Sequence, residues 1–422
     1  ICDHHRPGDE LPPASAVLDP KRSDCTYPYN ELSGCGVGFK LIQAYSRFKG
    51  WSSQDLVKYL DLVAVSIAAD IVQITGENRI LAYYGLKLIN SNPRPGIEAL
   101  LGISGIKRTN EKPDRIFTRE LNINDLVFIV GPRINAAGRI ESGNNSVELL
   151  ISQSLEEART LAEQINNCNT ERRNLDSLIT QQALDMIDEQ ETLSKAFTTV
   201  LYHPNWHKGV IGIVASRLTE IYYRPTVILC KSNGLITGSA RSIKDFDIYD
   251  AIDACSDLLE HFGGHTYAAG LSLKPENLPR FTSKFEEYAR EKFNGNHPAP
   301  EIEIDQVINL SDITPSFFNI LKQFAPFGPG NMSPIFATHK LMDTGYSRIV
   351  GKNHLKLSVV HPHISGYPVS GIAFGLSKYF EDIQKGQPFS ICYHIEENEW
   401  NGKTNLQLNV KDIKFEPLDH EF

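Results

Sequence analysis

The sequence predicts an α/β protein: two α/β domains joined by a long helix, followed by a small domain built only of strands. Three observations carry this expectation. A chain of 422 residues is too long for one ordinary core. Residues 153 to 191 have the composition of a single long helix, and from 198 to 292 short β-branched runs alternate with amphipathic helical patterns. Beyond residue 335 only short alternating segments remain, the pattern of strands.

Composition narrows the class. A hydrophobic fraction of 41% and a charged fraction of 22% are those of a globular protein. No apolar run is long enough to span a membrane and no charged-then-apolar leader is present, so a cytoplasmic protein with no membrane partner is expected. The seven cysteines are scattered without a C-x-x-C pair, which predicts reduced, packed thiols. With 42 basic against 51 acidic residues the formal charge is −9, so any polyanion must bind in a local basic groove. The chain opens on Ile1 rather than Met, inside what reads as a strand ending at a site, and we expect residues to have been lost from its front.

That opening stretch, Ile1-Cys2-Asp3-His4-His5-Arg6-Pro7, sets an acid and two imidazoles in consecutive positions. Asp and His are ligand types for a divalent metal in a hydrolytic site, although a polar turn would use them too. An irregular loop rich in Pro, Ser and Asp follows from Pro12 to Pro28. Ser33 and the glycines after it cap an amphipathic helix through Phe39, Leu41, Ile42 and Tyr45. In the next helix Leu56, Leu60, Val63, Ile67, Asp70 and Ile74 recur at spacings of three and four, so Asp70 is expected on an apolar seam as a metal ligand. The alternative is an early helix end that leaves Asp70 as a cap facing solvent.

Gly131 to Ile140 combines Arg133, Asn135 and Arg139 with small residues that allow close backbone approach, either a phosphate fork or a tightly packed helix. The long helix has charges on its outer faces, and no chemistry is assigned to Arg172 or Arg173. A second α/β unit follows: strand 198–202, helix 209–222, strand 226–230, a helix near 248–259, strand 269–273 and helix 279–292. Two small-residue clusters lie within it, Gly238-Ser239-Ala240-Arg241-Ser242 and Phe262-Gly263-Gly264-His265, where backbone amides, Arg241 and His265 could face an anion. Asp247 reads as a helix cap. After a linker at 293–300 and a rigid turn at 324–331 come five short strands, at 335–337, 354–360, 369–374, 389–395 and 406–410, with a turn at Asn401-Gly402. They fit a small barrel of the oligonucleotide-binding kind, with Lys352, His354, Lys356 and Tyr367 as contacts to a single strand.

In this order the motifs resemble the RecJ single-strand-specific exonucleases of the DHH phosphoesterase superfamily, over essentially the whole chain. Asp3-His4-His5 looks like the name-giving motif and Asp70 like the downstream aspartate ligand; Gly131 to Arg139 is similar to the family's G-P-R-x-N-A-x-G-R segment. Ser239 to Ser242 and Gly263-Gly264-His265 are similar to its DHHA1 domain, and the last strands, with Glu397 to Gly402, to its OB-fold domain. The resemblance implies part of a DHH domain at 1–150, a connecting helix at 151–192, a DHHA1 domain at 193–293 and an OB-fold β-barrel at 301–416.

It also implies hydrolysis of single-stranded DNA from the 5′ end at two Mn2+ or Mg2+ ions, in recombination and repair, by a monomer. His4 and Asp70 would ligate metal, Asp3 would support the cluster, and His5 would meet the scissile phosphate or leaving oxygen. Arg133, Asn135 and Arg139 would position the strand, with Ser239, Arg241, Gly263, Gly264 and His265 holding a phosphate across a cleft that admits one strand. The family carries further aspartates upstream of Asp-His-His, so the two-metal site is expected to be incomplete and this chain inactive as it stands. Two other readings stay open: an oligoribonuclease or cyclic-dinucleotide phosphodiesterase of the same superfamily, and a catalytically silent single-strand-binding scaffold.

Overall fold

The computed structural model describes residues 1–8, 10–109, 116–140, 142–362, 367–400 and 403–415, so the turn expected at Asn401-Gly402 lies outside the described residues. The chain folds as two compact units, Ile1–Leu86 with Ile302–Phe422, and Lys87–Glu301.

In the first unit the opening residues run extended, and Cys2 forms a parallel bridge with Leu18. Helix α1 (Gly34–Lys49) starts where the Ser33 side chain accepts from the Gly36 amide, and ends where Gly50 adopts φ 68°. Its buried residues are Gly36, Val37, Phe39 and Ser46. Leu41, Ile42 and Tyr45, expected inward, are instead exposed. A 3₁₀ segment at Ser53–Tyr59 leads into α2 (Leu60–Asp70), whose Val63, Ala64 and Ile67 are fully buried.

The expected seam holds at Leu56, Leu60, Val63, Ile67 and Ile74, each at most 8% exposed, but fails at Asp70. There α2 ends, because Ile71 turns into the left-handed region at φ 54°. The carboxylate therefore comes out of the seam, at 40% exposure. Helix α3 (Gly76–Ser91) packs its Gly85 against α2, where an added Cβ would fall 2.3 Å from the Leu60 carbonyl oxygen.

The second unit begins with α4 (Pro95–Ile103), α5 (Ile123–Asp125), α6 (Gly131–Ile140) and α7 (Asn144–Ile151), of which α4, α6 and α7 pack directly on α8 (Leu155–Asp188). The 34 residues of α8 are capped by Ser154, whose side chain accepts from the Glu157 amide. After α9 (Glu191–Ser194) comes a sheet of β1 (Thr199–Tyr202), β2 (Thr226–Ser232), β3 (Leu235–Arg241), β4 (Leu259–His265) and β5 (Ala268–Leu273), in the order β1-β2-β3-β5-β4. Only β1 and β2 are parallel, joined by α10 (Ile211–Tyr222), which packs on β2 and β3. The helix expected to reach 259 stops at Asp253 as α11 (Ile248–Asp253), capped by Asp247 as expected. The residues beyond it, with the second small-residue cluster, form the edge strand β4. Phe281, Phe285 and Ala289 of α12 (Leu278–Lys292) fill the core on one face of this sheet.

The C-terminal part contributes β6 (Gln306–Val307), α13 (Pro315–Lys322), β7 (Phe336–Asp343), β8 (Arg348–Val350), β9 (His354–Val360), β10 (Val369–Ala373), α14 (Phe380–Gln384), β11 (Phe389–Trp400) and β12 (Lys403–Phe415). Its sheet runs β6-β7-β11-β12-β10-β9-β8, and a further pairing of β7 with β9 closes the five sequence-predicted strands into an OB-like ring. Leu341, Leu355, Phe389, Tyr393 and Leu408 fill it.

Candidate metal and phosphate sites

The first cluster is made by the two ends of one short path. Backbone bonds from Asp3 N to Leu18 O (3.0 Å) and Leu18 N to Ile1 O (2.8 Å) pin the opening residues. The last turn of α2 brings Asp70 Oδ2 to 3.1 Å from His4 Nε2, and Gly34, at the start of α1, lies against the same imidazole. The His4 side chain is 14% exposed, so its nitrogen is held in place facing the carboxylate.

Asp3 serves the other histidine. Its Oδ1 takes the amides of His4 (2.7 Å) and His5 (3.2 Å) and lies 2.8 Å from His5 Nδ1. The His5 ring hydrogen bond, then the His5 and His4 amides, hold the Asp3 carboxyl well below the usual range, at about 2. An ionised Asp3 makes His5 Nδ1 the donor, which leaves Nε2 of that ring directed elsewhere. Asp3, His4 and His5 offer ligand atoms within 4.8 Å of one another. Because all three donors fall on Oδ1, Asp3 Oδ2 is left outside that cluster of bonds.

This donor set fits a divalent cation: carboxylate oxygens suit Mg2+ or Mn2+, and an imidazole nitrogen tilts the choice toward the transition ion. His4 and Asp70 would hold it, with Asp3 beside them. Among the described residues these are donors for one cation, fewer than the two-ion centre implied by the resemblance needs.

The second site lies on the sheet of the other unit. In register, Ser239 pairs with Gly270 and Gly270 with Gly263; Arg241 pairs with Ala268 and Ala268 with His265. Directly paired residues point to the same face, so Ser239, Arg241 and His265 share it. Between Ser239 and Gly263 that face carries no side chain, and a Cβ on Gly263 would meet nothing within 4 Å. Gly264 belongs to the opposite parity and is needed for packing, since a Cβ there would fall 2.4 Å from Ala268 O. Arg241 donates to Ser239 Oγ (2.9 Å) and Ala240 O (2.7 Å), under Gly212 of α10, where a Cβ would come within 3.0 Å of the guanidinium. Burial, then neighbouring Arg139, pull the Arg241 pKa down. A guanidinium over a side-chain-free trough suits a phosphate.

The three residues of α6 diverge. Arg133 turns to α8 and donates to Asn166 Oδ1 (3.1 Å) and Ile129 O (2.8 Å); Arg139 donates to Gly209 O (3.0 Å); Asn135 is exposed. In the OB-like part Tyr367 is 93% exposed, and His354 is partly held by the Gly375 amide at 3.1 Å.

Comparisons with known proteins place the chain in a family. Three family models match, the DHH family N-terminal domain at residues 1–67, the DHHA1 domain at 194–291 and the RecJ OB domain at 304–412. The chain is 34% identical to the single-stranded-DNA-specific exonuclease RecJ of Salmonella typhimurium, over 98% of this chain and 72% of that protein. It belongs to the RecJ family. Identity to RecJ of Bacillus subtilis is also 34%, but there the chain spans only 50% of its relative's length. The crystal structure of Thermus thermophilus RecJ in complex with Mn2+ matches with a TM-score of 0.81 at 27% identity, covering 98% of this chain and 57% of that one. The same RecJ in complex with Mg2+ matches with a TM-score of 0.78 at 26% identity, over 95% and 58%.

Sequence reasoning missed what supports the arginines of this RecJ family member. Asp176, 1% exposed, takes Arg217 Nε (3.0 Å) and Nη2 (2.8 Å), and Asn166 takes Arg133. Their spacing along α8 was a readable signal, since polar residues at helical intervals on an otherwise apolar face need partners.

Proposed function

We propose that this chain carries the core of a metal-dependent exonuclease that hydrolyses phosphodiester bonds of single-stranded DNA from the 5′ end, in the cytoplasm, in recombination and repair. The observation that carries this reading is His4 Nε2 facing Asp70 Oδ2 at 3.1 Å, with Asp3 and His5 beside them, in a chain of the RecJ family. We assign the catalytic region to residues 1–150, phosphate capture to 193–293 and single-strand binding to 301–416.

A bound Mn2+ or Mg2+ supplies Lewis-acid charge to phosphoryl oxygens and a water acidic enough to attack at neutral pH. The chain's own residues do the rest. His4 and Asp70 would hold the cation, and Asp3 orients the His5 ring by accepting from Nδ1. With a second proton taken from solvent, the His5 ring, 67% exposed, donates from Nε2 to the phosphate or hands that proton to the leaving oxygen while Nδ1–H stays on Asp3. Ser239, Arg241 and His265 grip a phosphate over the Gly263–Gly270 trough without touching a base, which suits an enzyme that takes any sequence.

The test compares single-stranded with duplex oligonucleotides, labelled at either end, in Mn2+ and in EDTA, alongside Mn2+ binding by electron paramagnetic resonance. With donors for one cation among the described residues, Mn2+-dependent release from the 5′ end of the single strand is expected only when the further aspartates of the two-ion site are supplied, whereas Asp70→Asn in this chain should weaken Mn2+ binding by about tenfold or more. Unchanged Mn2+ affinity in Asp70→Asn, or equal cleavage of duplex, would overturn the reading.

A further inference from the structure

The long helix α8 carries one polar stripe, Asn166, Asn169, Arg172, Arg173 and Asp176, at intervals of three and four residues. Its ends are satisfied: Asn166 accepts from Arg133, and Asp176 accepts the fork of Arg217. Its middle is not. Asn169 is 4% exposed with a buried Oδ1 that has no partner, and the buried Nε of Arg172 has none either.

We propose that the Asn169–Arg172 segment of α8 is a subsite for a backbone phosphate of the bound strand, next to the phosphate grip of Arg241. The inference rests on the nucleic-acid reading above. Arg172 is pulled down by burial, partly offset by Asp176, and further down by Arg139, Arg173 and Arg217; Arg133 feels Arg173, and Arg241 feels Arg139. Six guanidiniums thus act on one another electrostatically, while Asp176 is already committed to Arg217. Three of them, Arg133, Arg172 and Arg241, are partly buried, and like charges so placed are costly without an anion among them.

A phosphodiester oxygen answers the Arg172 Nε donor and shares the field of its neighbours. A half-turn of the Asn169 amide sacrifices no bond at Oδ1 and turns its NH2 donors toward the same oxygen. Arg172 acts here by binding, not by touching the reacting atoms.

The experiment measures binding of a fluorescent oligothymidylate in EDTA, by anisotropy, between about 50 and 200 mM salt. Arg172→Gln is expected to reduce the log–log salt slope by about 0.7, the loss of one single-strand phosphate contact. Arg172→Lys, which keeps the charge but loses the fork, should bind more weakly at an unchanged slope. A slope unaltered in Arg172→Gln, even with a lowered melting temperature, makes Arg172 a structural partner of Asp176 and overturns the proposal. If Arg172→Gln does not fold, full affinity in Arg172→Lys overturns it. Should the parent protein bind no single strand, the functional reading itself falls; a parent that binds while the variants match it removes only the α8 subsite.

Discussion

At the scale of single residues, Asp3 divides one carboxylate between two tasks. Oδ1 gathers the His4 and His5 amides and the His5 ring, and Oδ2 lies outside those three bonds. Asp3→Asn keeps the shape but loses the charge that orients the His5 ring. Its Mn2+ affinity, followed by electron paramagnetic resonance, should fall by less than in Asp70→Asn. Cys255 offers a check on packing, since burial pushes its thiol up to about 11. A folded pKa above the ordinary value near 9 means its contribution to stability is whole below pH 9 and is lost as pH rises toward 11. At pH 8 the thiol should resist alkylation in the native protein while exposed Cys2 reacts, as peptide mass mapping would report. The Asp-His-His trio and Asp70 were legible because their residue types are chemically specific. That Asp70 meets His4 at the end of a helix, rather than in its seam, was not: the left-handed turn at Ile71 leaves no mark in an apolar period.

At the scale of elements, the second sheet shows what periodicity reads and what it misses. β1, β2, β5 and their helices were legible, because β-branched runs and amphipathic helices announce themselves. β4 was not, since Gly263-Gly264 reads as a turn and the strand's residues are half-buried or exposed, without apolar alternation. Pairing with β5 makes it a strand, and Gly264 is the residue that lets the two backbones approach. Gly264→Val should therefore cost stability, by about 1 to 3 kcal/mol in urea unfolding, whereas Gly263→Ala should fold normally and weaken only phosphate binding. The five-strand ring was legible from alternation alone, but its closure through β7 and β9 depends on pairings far apart in sequence.

For the whole molecule, the net charge of −9 and the arginine group on α6, α8, α10 and β3 pull in opposite directions. Binding of a polyanion is then a local affair, and its rate should fall with salt less steeply than for a protein basic overall. Within the first unit, Arg79 Nη2 donates to Gln323 O (3.0 Å) and Phe324 O (2.9 Å), Ile74 N donates to Pro329 O (2.7 Å), and Gly328 sits against the Ile74 side chain. Arg79→Ala should loosen the 324–331 turn and speed its cleavage in limited proteolysis, leaving residues 87–301 as resistant as before. The two units also differ in how they lie along the chain. Residues 87–301 are one continuous piece, while the unit holding His4 and Asp70 is assembled from stretches that the other unit separates. On the ribosome residues 87–301 can close as soon as they emerge, whereas Ile74 of the first unit stays uncovered until Gly328 and Pro329 are made. A chain halted before residue 302 would keep residues 87–301 whole while leaving Ile74 and Arg79 without the partners that 323–329 supply, so premature termination would yield one finished unit beside an uncovered one.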